Sequence, residues 1–128
     1  MTTALRTNLL LVDDDPHYRE TLADAMSLKD TVVEGASSAA EAAAKLAGAL
    51  PSVIVLDVQL PDVNGVEFCR RLKRDPRLKR VPVVLLSAKY TEPADRAEGL
   101  LAGADSYLSK PVNVEALWEE VCFLLTRG

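Results

Sequence analysis

Five short apolar runs punctuate the chain, at residues 8–12, 31–33, 53–56, 81–86 and 106–108. The first, third and fourth are nearly continuous Leu, Val and Ile without polar alternation. A strand covered on both faces reads this way, and such strands belong to parallel sheets. Helix-like segments separate the runs. Asp15 is placed to cap a first helix, with Pro16 at the position where a missing N–H costs nothing, and Leu22, Ala25 and Met26 form a stripe ending near Leu28. Ser38 and Glu41 have capping-box spacing ahead of an Ala-rich helix that stops near Gly48. Asn64 caps a third helix with Val66, Cys69 and Leu72 inward, ending before Asp75-Pro76. A fourth starts near residues 91–93, places Ala97, Leu100 and Leu101 on one side, and stops at Gly103. Asn113 opens a fifth, with Leu117, Val121, Leu124 and Leu125 at helical spacing.

Strand then helix, five times over, predicts a doubly wound α/β domain with a parallel sheet. Right-handed crossovers place helices on both of its faces. No repeat, low-complexity tract or linker interrupts the pattern.

Composition narrows the class. The 128 residues are 48% hydrophobic and 27% charged with a net charge of −4, which fits one domain with one sizeable core and excludes disorder. Two cysteines are too few for a disulfide scaffold and point to a reducing compartment. No apolar run approaches a membrane span, and Arg6 ahead of a short apolar stretch ending in three aspartates is not a secretory leader. The expectation is a soluble, cytoplasmic domain. Its charge is uneven: from Arg70 to Arg80 seven cations face Asp75 alone, leaving +6 there and −10 elsewhere.

Open α/β sheets bind ligands beyond the carboxyl ends of their strands. After the first run come Asp13, Asp14 and Asp15; after the third, Asp57; after the fourth, Ser87; after the fifth, Lys110. Crowded carboxylates repel, and a hard divalent cation such as Mg²⁺ or Mn²⁺ relieves them through oxygen ligation. A carboxylate beside that ion can attack a phosphoryl group, with a Lys and a hydroxyl neutralising the transferred charge.

At this point the sequence resembles the receiver domain of two-component response regulators. The resemblance rests on Leu10-Leu11-Val12-Asp13-Asp14-Asp15-Pro16, Val55-Leu56-Asp57-Val58-Gln59-Leu60-Pro61, Leu86-Ser87-Ala88 and the stretch from Gly103 to Pro111. These stand in the family's order and cover essentially the whole chain. The resemblance implies a flavodoxin-like five-stranded sheet flanked by five helices, and phosphoryl transfer from a histidine kinase or phosphotransfer protein. It makes Asp57 the phosphoacceptor, Asp14 the direct Mg²⁺ ligand, Asp13 an acidic partner acting through water, and Gln59 a ligand through its backbone carbonyl. Lys110 pairs with the phosphoryl oxygens, Ser87 hydrogen-bonds one of them, and Tyr107 is the switch aromatic. The Lys110–Pro111 bond is expected to be cis. In that family the positions of Gln59 and Lys89 flank the phosphoryl group and tune its hydrolysis, while Lys89 also reads as a side chain pointing to solvent.

Plainer readings hold elsewhere. Asp15 is a helix cap and stays outside the metal set. His17 is a surface residue, Cys69 and Cys122 are packing thiols, and Trp118 is core or part of a partner face. The basic stretch reads as a solvated helix end, since no aromatics interleave it, so no direct nucleic-acid contact is expected. The sequence predicts a single receiver domain over residues 1–128, core about 8–126, with no output domain. It assists its own phosphorylation and is not a turnover enzyme. No other cofactor, no membrane and an unnamed downstream partner complete it. A homodimer through the last helices stays open, as does a phosphorylation-independent interaction module. A nucleotide or flavin binder is disfavoured, because no Gly-rich phosphate loop follows the first run.

Overall fold

The computed structural model describes residues 7–127, so Arg6 and Gly128 lie outside it. Its elements alternate throughout: β1 (Thr7–Val12), α1 (Pro16–Ser27), β2 (Thr31–Ala36), α2 (Ala39–Gly48), β3 (Val53–Asp57), α3 (Gly65–Arg74), β4 (Val83–Ser87), α4 (Pro93–Leu101), β5 (Ser106–Ser109) and α5 (Val114–Thr126). All five strands are parallel in one sheet of order β2-β1-β3-β4-β5, the flavodoxin-like arrangement. Strand order reverses between β1 and β3, where the outgoing loops part and leave a crevice.

Side-chain alternation along each strand divides the apolar residues between two cores. On one face Leu10, Val12, Ile54, Leu56, Val83, Leu85 and Tyr107 pack with Leu46 of α2, Phe68, Cys69 and Leu72 of α3, and Ala102. On the other, Leu9, Leu11, Val53, Val55, Val84 and Leu86 meet Leu22 and Met26 of α1 and Leu117, Val121 and Leu124 of α5. Each such Leu or Val is worth about 1.5–3 kcal/mol when fully buried. β3 and β4 are buried along their whole length, which explains their unbroken apolar sequence.

The expected caps form. Asp15 accepts from the backbone N–H of His17 (2.9 Å) and Tyr18 (3.3 Å), Asn64 from Val66 (2.8 Å) and Asn113 from Ala116 (3.1 Å). Ser38 accepts from Glu41 N–H at 3.1 Å, but Glu41 turns back one residue further, to the N–H (2.5 Å) and hydroxyl (2.9 Å) of Ser37. The remaining α2 donors go to a distant residue, Asp62, which accepts from Ala39 (3.0 Å) and Ala40 (2.9 Å).

Four expectations need correction. β4 begins at Val83 and not at Val81, because Pro82 lacks a ladder N–H and the Val81 carbonyl accepts from Lys73 Nζ at 2.8 Å. β2 runs on to Ala36, held in register by Val12. The α4 stripe is the wrong one: Leu100 and Leu101 are 42% and 87% exposed, and the residue buried there is Gly99. On α5, Leu125 is also partly exposed. Cys69 is buried, which pushes its thiol up to about 11, and Cys122 is half-buried; both are free. Trp118 packs against the α1–α5 core. Among the described residues, no helix is long and apolar enough to cross a membrane.

Candidate functional site

The carboxyl ends of β1 and β3 bring Asp13 and Asp57 to one place, and the turn after β5 delivers Lys110 between them. Lys110 Nζ donates to Asp13 Oδ2 at 2.6 Å and to Asp57 Oδ2 at 2.9 Å. Strand register sets this up: the N–H of Asp13 donates to Ala36, which ties the end of β1 to β2, and those of Val58 and Lys110 donate to Leu86 and Ser87, which tie the ends of β3 and β5 to β4. The other carboxylate oxygens are also occupied. Asp13 Oδ1 accepts from Asp15 N–H (2.9 Å) and Asp57 Oδ1 from Gln59 N–H (3.0 Å). The Lys110–Pro111 bond is cis.

Gly65, the first residue of α3, completes the packing. A Cβ there would stand 2.2 Å from the Asp57 carbonyl oxygen and 2.8 Å from Val58 Cα. Only glycine lets the start of α3 lie against the end of β3, and the N–H of Gly65 donates to the Val58 carbonyl at 2.7 Å.

Burial and charge oppose each other here. Asp13 is 1% exposed and Asp57 7%. Burial pushes the Asp57 carboxyl above its ordinary range, against the pull of Lys110 and the Gln59 N–H, and Asp13 adds to the push. Lys110 moves up as well: burial works against its charge, but the hydrogen bonds to Asp13 and Asp57 outweigh it. Asp14, exposed, adds a third carboxylate, and one oxygen from each of Asp13, Asp14 and Asp57 falls within 4.8 Å of the others. Three carboxylates facing one ammonium leave net negative charge, and the donor set is all oxygen. That fits a hard divalent cation such as Mg²⁺.

Ser87 and Tyr107 meet through Tyr90. Ser87, 1% exposed at the end of β4, accepts from Tyr90 N–H at 2.7 Å. Tyr107 is turned inward, 3% exposed, and its hydroxyl donates to the Tyr90 carbonyl at 2.5 Å. The loop after β4 is thus held from both sides at a single peptide residue. Burial raises the Tyr107 phenol, with the Ser87 hydroxyl pulling the other way.

The remaining candidates stay apart. Asp15 is engaged as the α1 cap, His17 is exposed, and exposed Lys89 lies over the Tyr90 ring at 5.8 Å. Gln59 enters the site through its N–H. Much of the basic stretch is consumed internally. Arg70 and Arg71 pair with Glu67, Lys73 with Asp105, and Arg77 donates to the Leu46 carbonyl. The sequence pattern did not single out Tyr18, Gly65, Asp62 or Gly99. The spacing of Gly65 behind Asp57 is the one local signal that could have found any of them.

Comparison with known proteins shows the family and the fold. The family model described as "Response regulator receiver domain" matches residues 9–122. The chain is 39% identical over 99 residues to the phosphate regulon transcriptional regulatory protein PhoB of Rhizobium meliloti, covering 77% of this chain and 41% of that one. It is 37% identical over 123 residues to the response regulator MprA of Mycobacterium ulcerans, covering 96% and 52%. The chain therefore spans about half the length of the curated relatives it matches. Among solved structures, the signal receiver domain of a signal transduction histidine kinase from Syntrophus aciditrophicus superposes with a TM-score of 0.86 at 31% identity, covering 94% and 91%. A CheY-like receiver domain protein from Methanospirillum hungatei superposes with a TM-score of 0.87 at 26% identity, covering 96% of both chains. With carboxylates, lysine and hydroxyl gathered on one sheet edge and these matches across nearly its whole length, the chain belongs to the response regulator receiver domain family.

Proposed function

We propose that this receiver accepts a phosphoryl group on Asp57 in a Mg²⁺-dependent reaction and relays a signal through the state of that residue. The observation that carries it is the Lys110 ammonium shared by Asp13 and Asp57, beside a third carboxylate, at the strand-order reversal. An Asp57 carboxylate oxygen attacks phosphorus, the bond to the donor's leaving group breaks, and an acyl phosphate results. Lys110 then follows the new charge, donating its remaining N–H to a phosphoryl oxygen. Asp13, Asp14, Asp57 and the Gln59 carbonyl would hold the cation, which neutralises charge on the transferred group.

A histidine kinase or phosphotransfer protein is the donor in this reading, in the cytoplasm, and a downstream partner reads the result. The chain assists its own modification and does not turn over an external substrate. Ser87 and Tyr107 form the switch. A phosphoryl oxygen that recruits the Ser87 hydroxyl changes the hold on Tyr90, and with it the loop leading to α4. No observation favours a docking module that works without phosphorylation.

The test is incubation with acetyl phosphate and Mg²⁺ followed by intact-mass measurement. Wild type gains one covalent phosphate, and Asp57→Asn gains none. No phosphate on wild type, or undiminished labelling of the variant, overturns the reading.

A further inference from the structure

Lys110 is confined on three sides. Asp13 and Asp57 occupy two of them, and the third is the ring of Tyr18, whose centroid lies 4.3 Å from Nζ. Tyr18 sits in the first turn of α1, and its backbone N–H is tied to the Asp15 cap. Its hydroxyl is buried and, among the described residues, makes no hydrogen bond of good geometry, though the Val112 backbone lies beside it. The ring, and not this oxygen, meets the Lys110 ammonium.

An ammonium has three N–H donors, and the two carboxylates take two of them. A third carboxylate or carbonyl in Tyr18's place would hold the lysine equally well but would occupy the donor that an entering phosphoryl oxygen needs. A ring face attracts the cation through its quadrupole and restricts where the ammonium can go without presenting an acceptor oxygen. An aliphatic side chain of similar bulk would fill the space and supply no such attraction.

We propose that Tyr18 is a positioning residue for phosphoryl transfer: its ring face holds the Lys110 ammonium over Asp57 while leaving one N–H of that ammonium for the arriving phosphoryl group. This rests on Asp57 being the acceptor. The residue that makes it possible is a tyrosine on α1, far in sequence from both Asp57 and Lys110, and its role lies in orientation and not in proton transfer.

The experiment compares wild type, Tyr18→Phe and Tyr18→Leu by the rate of phosphorylation with acetyl phosphate at saturating Mg²⁺, read by intact mass. Tyr18→Leu slows the reaction about three- to thirty-fold, the range of a partly buried cation–ring contact, while Tyr18→Phe recovers the rate to within about two-fold. A ¹H–¹³C spectrum supplies a readout that cavity effects do not move. The Lys110 ε-methylene protons are shifted upfield by the ring current in wild type and Tyr18→Phe, and lose that shift in Tyr18→Leu. A Tyr18→Leu rate equal to wild type overturns the inference, as does an unshifted Lys110 methylene in wild type. The wild-type spectrum decides the contact even if Tyr18→Leu does not fold, and the Tyr18→Phe rate then decides whether the hydroxyl is needed: a loss beyond about ten-fold overturns the inference too. If wild type takes no phosphate at all, it is the reading of Asp57 that fails, and the inference falls with it.

Discussion

The ring of Tyr107 rests against the backbone of Gly99, so closely that a Cβ on Gly99 would stand 2.6 Å from ring Cδ2, 2.9 Å from Cε2 and 3.0 Å from Leu85 Cδ1. This seat is what allows the phenol to reach the Tyr90 carbonyl, and Arg96, also on α4, donates to the Tyr107 carbonyl at 3.0 Å. Gly99→Ala therefore drives Tyr107 outward or α4 off the sheet. Overpacking costs about 1–3 kcal/mol, and improved helix propensity returns at most about 1 kcal/mol. The expected result is a loss of up to about 2 kcal/mol in urea unfolding, with reoriented Tyr107 ring resonances. An unmoved ring at undiminished stability contradicts it.

Asp105 ties three elements together below the site. It accepts from Val83 N–H (2.9 Å), Lys73 (3.0 Å) and Arg127 (2.7 Å). Burial pushes its carboxyl up, but these partners outweigh burial and hold it below the usual carboxylate range. A depressed folded pKa stabilises above the unfolded value and is lost as pH falls through the folded one. Asp105→Ala should cost about 1–3 kcal/mol at neutral pH, since it leaves the Val83 N–H without its acceptor, while Lys73 keeps the Val81 and Lys79 carbonyls. That cost shrinks as the pH drops from about 5 to about 3. Urea unfolding of both proteins across that range checks it; a cost that grows toward acid pH contradicts it.

The sheet and the four strand-end residues were legible in the sequence because each depends on local pattern. Unbroken Leu, Val and Ile runs announce strands buried on both faces, and polar residues following them mark one edge. What was not legible depends on pairs distant in the chain. Asp62 caps α2 from the loop between β3 and α3, at a separation that no capping-box spacing reveals. Gly99 reads locally as a weak point in a helix, and its meaning appears only once Tyr107 lies over it. The α4 stripe failed for the same reason: the helix meets the sheet through a glycine and not through its leucines. Nothing in the local pattern marks Tyr18, whose ring meets Lys110 only through the fold.

Adjacent carboxylates at the end of β1 should respond differently to metal. Free Mg²⁺ at ten times its dissociation constant stabilises the folded state by about 1.4 kcal/mol. Asp14→Asn removes a charged ligand candidate and should abolish most of that gain. Asp15→Asn should keep it, because Asp15 is engaged as a cap and Asn caps as well as Asp. Thermal unfolding in Mg²⁺ and in EDTA distinguishes the two; equal losses in both variants contradict the assignment.

Without a bound metal, the crowded carboxylates cost the fold stability. Asp57 is 7% exposed and faces Asp13 across one shared ammonium. Burial dominates and raises its carboxyl, so the charged form is disfavoured in the folded protein relative to the unfolded chain. A raised carboxylate pKa works opposite to that of Asp105: it subtracts stability at neutral pH, and the penalty fades as pH falls through the folded value and is gone below the unfolded one. Asp57→Asn removes the charge while its single amide oxygen still accepts from one of Lys110 and the Gln59 N–H. The expected gain in EDTA at neutral pH is therefore modest, about 0.5–1 kcal/mol. Mg²⁺ should narrow that gap, since the ion compensates in wild type the repulsion that the substitution deletes. A variant less stable than wild type in EDTA would mean that the Lys110 bridge already neutralises the cluster. The site would then bind metal against an ammonium and not in relief of its own carboxylates.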